Sequence, residues 1–311
     1  MLALKPVLKR GALVAAANWQ VTLVQATADS LFKLLLATPI LGGVFLVALV
    51  AGTEPQDLFG QEWRVMVTTI VESLLSHPAV LLAFLMAVGV VAVGGSLFIF
   101  LVKAGTVATL VRGERAAGAI EEPPLHLESL RRAAAFSAEA YVAAARELFP
   151  RYTRLGLMLM ALYGASGAAY LAAVFAVGLT GDRWGLAALF TAMFVVWITV
   201  VNWLYLLTQI VIAADDCSVA AATVRVAAFI RHERRAVGAV FLIVLLLVVA
   251  ATGVSWLATA ALWLIGFVPF IGLALIPLQL MAWLFRGVVF QYLGLSTVGA
   301  YVKLYRGFQT P

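Results

Sequence analysis

A single cysteine, Cys217, stands among 311 residues, which excludes an internal disulfide and a cysteine-based metal cluster. Histidine is almost as scarce. His77, His126 and His232 are scattered, and a bis-histidine haem would want two at similar membrane depth. Charge is sparse too: Asp, Glu, Lys and Arg make 12% of the chain, where a soluble domain carries about 25%. There is no HExxH, no GxGxxG opening an α/β unit, no phosphate-binding P-loop and no GxSxG. The apolar stretches hold no paired acid and base. Asp215 and Asp216 are adjacent, so on a helix they point different ways and suit capping better than metal binding. No catalytic residue, cofactor or metal is expected, and the chain reads as non-enzymatic.

What the chain has is apolar length. Hydrophobic residues make 64% of it and the mean hydropathy is +1.05. The apolar residues come in long runs, which favours spanning helices over an alternating β-barrel pattern. Six spans are predicted, over about 34–51, 78–101, 155–179, 185–213, 237–262 and 271–295. Lys and Arg concentrate in the N-terminal lead 1–18, in 103–154, in 214–236 and in the tail 296–311. Loop 52–77 has only Arg64, the turn 180–184 only Arg183, and the last turn none. By the positive-inside rule both termini are then cytosolic. The net charge of +6 reads as cytosolic loops rather than as nucleic-acid binding. Trp184, Trp256 and Trp263 would form an outer aromatic belt.

Three times an amphipathic helix leads into two spans: 19–36, 127–152 and 217–235. The third is the clearest. Asp215, Asp216 or Ser218 can cap it, and Ala222, Val226, Phe229 and Ile230 recur at the spacing of one helical face. Arg231, Arg234 and Arg235 close it where the helix dipole favours cations. Such helices are too polar to span, and fit the membrane interface or the cytosolic ends of the spans. The span pairs also end alike, in KAGTVATLVRGE, CSVAAATVRVAAFIRHE and STVGAYVKLYRGF. Two readings stand: internal triplication into units 19–115, 127–216 and 217–306, or chance recurrence of small-and-basic ends. Triplication would imply pseudo-threefold packing about the membrane normal. Either way the fold class is all-α, a single polytopic domain over 1–311 with six transmembrane helices and three interfacial ones.

Asp215 or Asp216, then SVAAATVRVAAFIRHERRAVG, then FLIVLLL, resembles the membrane domain of bacterial glycerophosphodiester phosphodiesterases and its stand-alone relatives of unknown function. ADSLFKLLLATPILGGVFL and ELFPRYTRLGLMLM look similar to the same family. The resemblance implies a helical membrane domain of the bacterial inner membrane. It implies no catalysis, since no soluble barrel domain is present in the sequence.

Arg286 is the sharpest single residue, within the last span in PLQLMAWLFRGVVFQYLG. A mid-bilayer arginine costs about 2.5–3.5 kcal/mol by insertion scales, so it usually faces protein or water. Gln279 lies seven residues earlier on the same face, Gln291 follows, and Asn202 in the fourth span is a further partner for an intramembrane polar site. The expected function is a subunit, scaffold or lipid-binding module, in contact with the bilayer and with other membrane subunits. The alternative is a small permease or flippase-like transporter using Arg286. Labelling should find the 103–154 joint and the 214–236 joint on the same membrane face; opposite faces would overturn the topology.

Overall fold

Residues 4–51, 62–124, 127–177, 184–266 and 271–309 are described by a computed structural model. Ten helices carry them: α1 (Leu4–Ala17), α2 (Trp19–Ala51), α3 (Trp63–Ser76), α4 (Pro78–Ala116), α5 (Leu127–Ala133), α6 (Ala138–Val177), α7 (Trp184–Asp215), α8 (Val219–His232), α9 (Arg234–Gly266) and α10 (Ile271–Gln309). No strand occurs among the described residues. Six of the helices, α2, α4, α6, α7, α9 and α10, are long and apolar enough to cross a membrane. They run 32 to 40 residues, where about 20 suffice to span. The turn at 180–183, all of 52–61, residues 267–270, His126 and the side chain of Trp184 lie outside the described residues.

The helices differ from the sequence expectation in four places. The basic lead is itself a helix, α1. It buries Val7, Arg10, Gly11, Val14 and Ala15, the i, i+3, i+4, i+7, i+8 stripe of a packed helix. The predicted break between the helix 19–36 and the first span does not exist: α2 runs unbroken through Pro39, which spanning helices tolerate. The predicted helix 127–152 is divided, with α5 ending at Ala133 and α6 starting at Ala138 and passing through Pro150 into the third span. Finally, α4 and α10 do not stop at 101 and 295 but continue through the small-and-basic ends to Ala116 and Gln309. His77 sits between α3 and α4, and its carbonyl accepts the amides of Val80 and Leu81 at 2.9 and 3.0 Å.

The chain divides into two compact units, one made of residues 1–26 with 100–311 and one of 27–99. In the smaller, α2 and α4 pair antiparallel: the Phe32 ring lies on Gly95 and the Phe84 ring on Gly43. In the larger, α6 and α7 form a second hairpin. Trp197 donates to Ser166 at 2.9 Å, the Tyr170 and Thr191 hydroxyls meet at 2.9 Å, and Tyr170 stacks on Phe194. α9 and α10 form the third. The spans thus pair as first with second, third with fourth and fifth with sixth.

Burial in the larger unit is uneven. Leu110, Ile120, Tyr152, Leu207, Ile210, Phe229, Tyr301, Leu304 and Tyr305 are fully buried, and all belong to the end that carries the basic joints. The middles of the spans are open, with Leu257 73% and Phe285 71% exposed, as expected where lipid tails supply the neighbours. A tight backbone contact lies at the buried end. α1 runs antiparallel to α10, and a Cβ on Gly11 would lie 2.3 Å from the Ser296 carbonyl oxygen and 2.6 Å from the Ala300 nitrogen. Tyr292 donates to the Ala12 carbonyl just beyond, at 3.1 Å. Gly11→Ala should therefore force α1 off α10 and cost about 1–3 kcal/mol, read as a lowered unfolding midpoint in detergent. Gly253→Ala, where an added Cβ meets nothing within 4 Å, should leave the midpoint unlowered or raise it slightly.

Candidate functional site: a buried charged joint

The site lies where α1, the ends of α4, α7 and α10, and α8 meet. It begins with the end of α4, whose last carbonyls lack helical partners. Gly118 (φ 59°) turns the chain there, a conformation that favours glycine. Arg10 of α1 reaches across to this end. Its Nη2 donates to the Glu114 carbonyl at 3.0 Å, its Nη1 to the Gly118 carbonyl, and its Nε to Glu114 Oε1 at 2.8 Å. Arg306 of α10 holds the other carboxylate oxygen of Glu114 at 2.6 Å. Glu114 has no exposure and Arg10 4%. Such a pair is costly to break, because removing one partner strands a buried charge at about 3–5 kcal/mol.

Glu121 extends the network. It binds Arg10 at 2.6 Å and Lys303 at 3.5 Å, and Lys9 donates to its carbonyl at 2.9 Å. Burial pushes its carboxyl up, but its own backbone amide, the Arg10 hydrogen bond and the Arg10 and Lys303 charges more than offset this, leaving it below the usual carboxylate range.

The acidic pair after the fourth span is sorted by geometry. Ser218 caps α8, accepting the Ala221 amide at 3.3 Å. Asp215 instead takes Arg225 of α8, the Tyr305 hydroxyl at 2.6 Å and Gln309 at 2.5 Å. Asp216 adopts φ 49° and pairs with Arg151, and Arg115 donates to the Ala214 carbonyl. α8 buries Ala222, Val226 and Phe229, with Phe229 edge-on to Tyr305 at 5.3 Å. Burial pushes the Cys217 thiol up, which makes it a poor nucleophile.

Two further ties close the joint. Asn18, fully buried between α1 and α2, donates to the carbonyls of Val14 and Ala133 at 2.9 and 2.8 Å and accepts the Ala135 amide at 2.9 Å. Tyr141 donates to the Val102 carbonyl at 2.7 Å, Tyr152 to that of Gln209 at 2.8 Å, and Tyr301 to that of Val237 at 3.3 Å. A cavity of about 260 Å³ opens between Arg10, Glu114, Arg115, Lys303 and Arg306. A second, apolar cavity of about 470 Å³ lies beside Trp19, Leu23, Val288 and Tyr292.

The four residues predicted for an intramembrane polar site are not joined to one another by a hydrogen bond among the described residues. Arg286 is exposed, with its guanidinium 5.6 Å from the Phe290 ring centre. Gln279 is exposed and Gln291 half-buried. Asn202 is exposed and donates to the Ile198 carbonyl of its own helix at 3.1 Å. Arg10, Glu114, Asn18 and Arg306 were not singled out by sequence reasoning. The α1 burial stripe and the recurrence of small-and-basic ends were the signals that could have found them. No three His, Cys, Asp or Glu side chains come together as a metal site among the described residues.

No protein-family profile, curated protein or solved structure matches the chain. The fold itself defines the class: an all-α, multi-pass membrane protein.

The lowered Glu121 value fixes the sign of a pH effect. A carboxyl depressed on folding contributes stability above its unfolded value and loses it as pH falls through the folded one. The stability difference between wild type and Glu121→Gln should therefore be largest near neutrality and shrink as pH falls from about 5 to about 3. Unfolding midpoints across that range measure it.

Proposed function

We propose that the chain is a non-enzymatic module of the bacterial inner membrane, a subunit or scaffold that binds other membrane proteins and lipid. Both termini lie in the cytosol, because the joint that gathers Arg10, Arg115, Arg225, Lys303 and Arg306 is the end the positive-inside rule assigns there. The resemblance to the membrane domain of glycerophosphodiester phosphodiesterases accords with a module that has no active site of its own.

The observation that carries this reading is the placement of Arg286. It lies within the last predicted span, in a stretch, 277–286, whose residues are exposed on every side of the helix, so no other part of the described chain encloses it. A permease site would want the arginine turned into the bundle. An arginine on the lipid-facing side is stabilised instead by a carboxylate or polar group from outside the chain. The permease reading draws on one other observation, the buried side-chain amide of Gln209 beside Tyr205 on α7.

Purification in mild detergent from native membranes tests the two. Arg286→Leu should reduce a co-purifying membrane partner by at least about tenfold, the scale of a lost buried charge pair, with the unfolding midpoint unchanged. A partner recovered equally with both forms, or solute uptake by reconstituted vesicles that Arg286→Leu abolishes, would overturn the subunit reading.

A further inference from the structure

The charged joint holds more cation than its own carboxylates neutralise. Around the cavity of about 260 Å³, Arg10, Arg115, Lys303 and Arg306 converge from α1, α4 and α10. Among the described residues, the carboxylates paired with these cations are Glu114, which takes Arg10 and Arg306, and Glu121, which takes Arg10 and Lys303. Among the described residues, four cations thus face two carboxylates, a formal excess of two positive charges. A concave site lined by one sign of charge concentrates counter-ions.

The donors are unequally committed. Arg10 makes four hydrogen bonds, to Glu114, Glu121 and the carbonyls of Glu114 and Gly118, so it is part of the frame. Arg115 gives one bond, to the Ala214 carbonyl, out of the five N–H groups of a guanidinium. Lys303 reaches Glu121 only at 3.5 Å, with three donors on its ammonium. The opposing effect is the negative end of α4, whose carbonyls would repel an anion. Arg10 and Arg306 already cover them: the Glu114 carbonyl takes both, and the Gly118 carbonyl takes Arg10. The wall at Gly118 carries no side chain, and an added Cβ there would meet nothing within 4 Å.

We propose that this cavity binds a phosphate group carrying two negative charges, held by Arg115 and Lys303 on a frame of Arg10 and Arg306. Arg and Lys donors suit tetrahedral, multiply accepting phosphate oxygens, and charge assistance strengthens each bond. The charge excess of two matches a phosphomonoester or free phosphate rather than a single carboxylate. The proposal deepens the lipid-binding part of the function proposed above and rests on it only for the lipid source. The shared chemistry is the phosphate; it is either a phosphomonoester lipid headgroup at the inner leaflet or phosphate from solution.

The test uses the full chain in two settings. In detergent, inorganic phosphate is titrated against chloride at matched ionic strength. In nanodiscs, phosphatidylcholine with phosphatidic acid is compared with phosphatidylcholine carrying phosphatidylserine. The unfolding midpoint is the readout. Wild type should rise with inorganic phosphate, with phosphatidic acid, or with both, and the arm that responds identifies the source. Arg115→Gln with Lys303→Gln should weaken the response roughly tenfold or more, the scale of lost charge-assisted bonds, read as the shift from the variant's own midpoint in chloride. Arg115→Gln alone, at an exposed position, repeats the test if the double variant folds poorly. No rise in either setting, or a variant that responds like wild type, would overturn the proposal. That failure would leave the Arg286-dependent partner untouched, so the two readings fall separately.

Discussion

A carboxylate with no solvent exposure, Glu114, is held between Arg10 and Arg306, and the larger unit is arranged around that contact. It joins the chain's first helix to its last and both to the end of α4, across sequence separations of 104 and 192 residues. Removing Glu114 and Arg10 from water is expensive, and their pairing restores only part of that cost, while Arg306 stays partly exposed. The return is geometric. Arg10 reaches Glu114 and the carbonyls of Glu114 and Gly118 only if α1 and α4 are in one register, and Gly11 against Ser296 and Ala300 allows a close approach to α10.

This places the specificity of the fold outside the apolar spans. Lipid tails are as apolar as leucine, so burial gives spanning helices little reason to prefer one partner or register. The open faces of the span middles fit that condition. At the basic end, hydrogen bonds and ion pairs supply direction instead. Asp215 gathers Arg225, Tyr305 and Gln309 from α8 and α10, Asn18 pins the α1–α2 corner to the link after α5, and Tyr152 ties α6 to α7. Arg286 stands apart from this network, exposed on α10 with Phe290 as its aromatic neighbour. The two arginine environments differ: Arg10 is enclosed by Glu114 and Glu121, and Arg286 is open.

Much of this was legible in the residues. The six spans follow from apolar run length, and their pairing follows from the arginine-poor segments that join first to second, third to fourth and fifth to sixth. The cap and buried face of α8 follow from Ser218 and the spacing of Ala222, Val226 and Phe229. Other features were hidden for physical reasons. Lys5, Lys9 and Arg10 disguised α1 as a solvated lead, since a buried arginine and an exposed one read alike without their partners. Pro39 and Pro150 mark helix breaks in soluble proteins but lie inside α2 and α6. The recurring basic ends pointed to similarity among three segments, but not to Arg306 meeting Glu114 or Tyr305 meeting Asp215, because contacts at such separations leave no local pattern.

The most direct measurement is a double-mutant cycle on Arg10 and Glu114, using equilibrium unfolding of the detergent-solubilised chain. If the buried carboxylate organises the joint, Arg10→Gln and Glu114→Gln should each be strongly destabilising. The double variant should then cost less than their sum by at least about 1–2 kcal/mol, the coupling expected of a contacting charged pair. Losses that simply add, within about 0.5 kcal/mol, would show that the two side chains do not act through one another and would contradict this account.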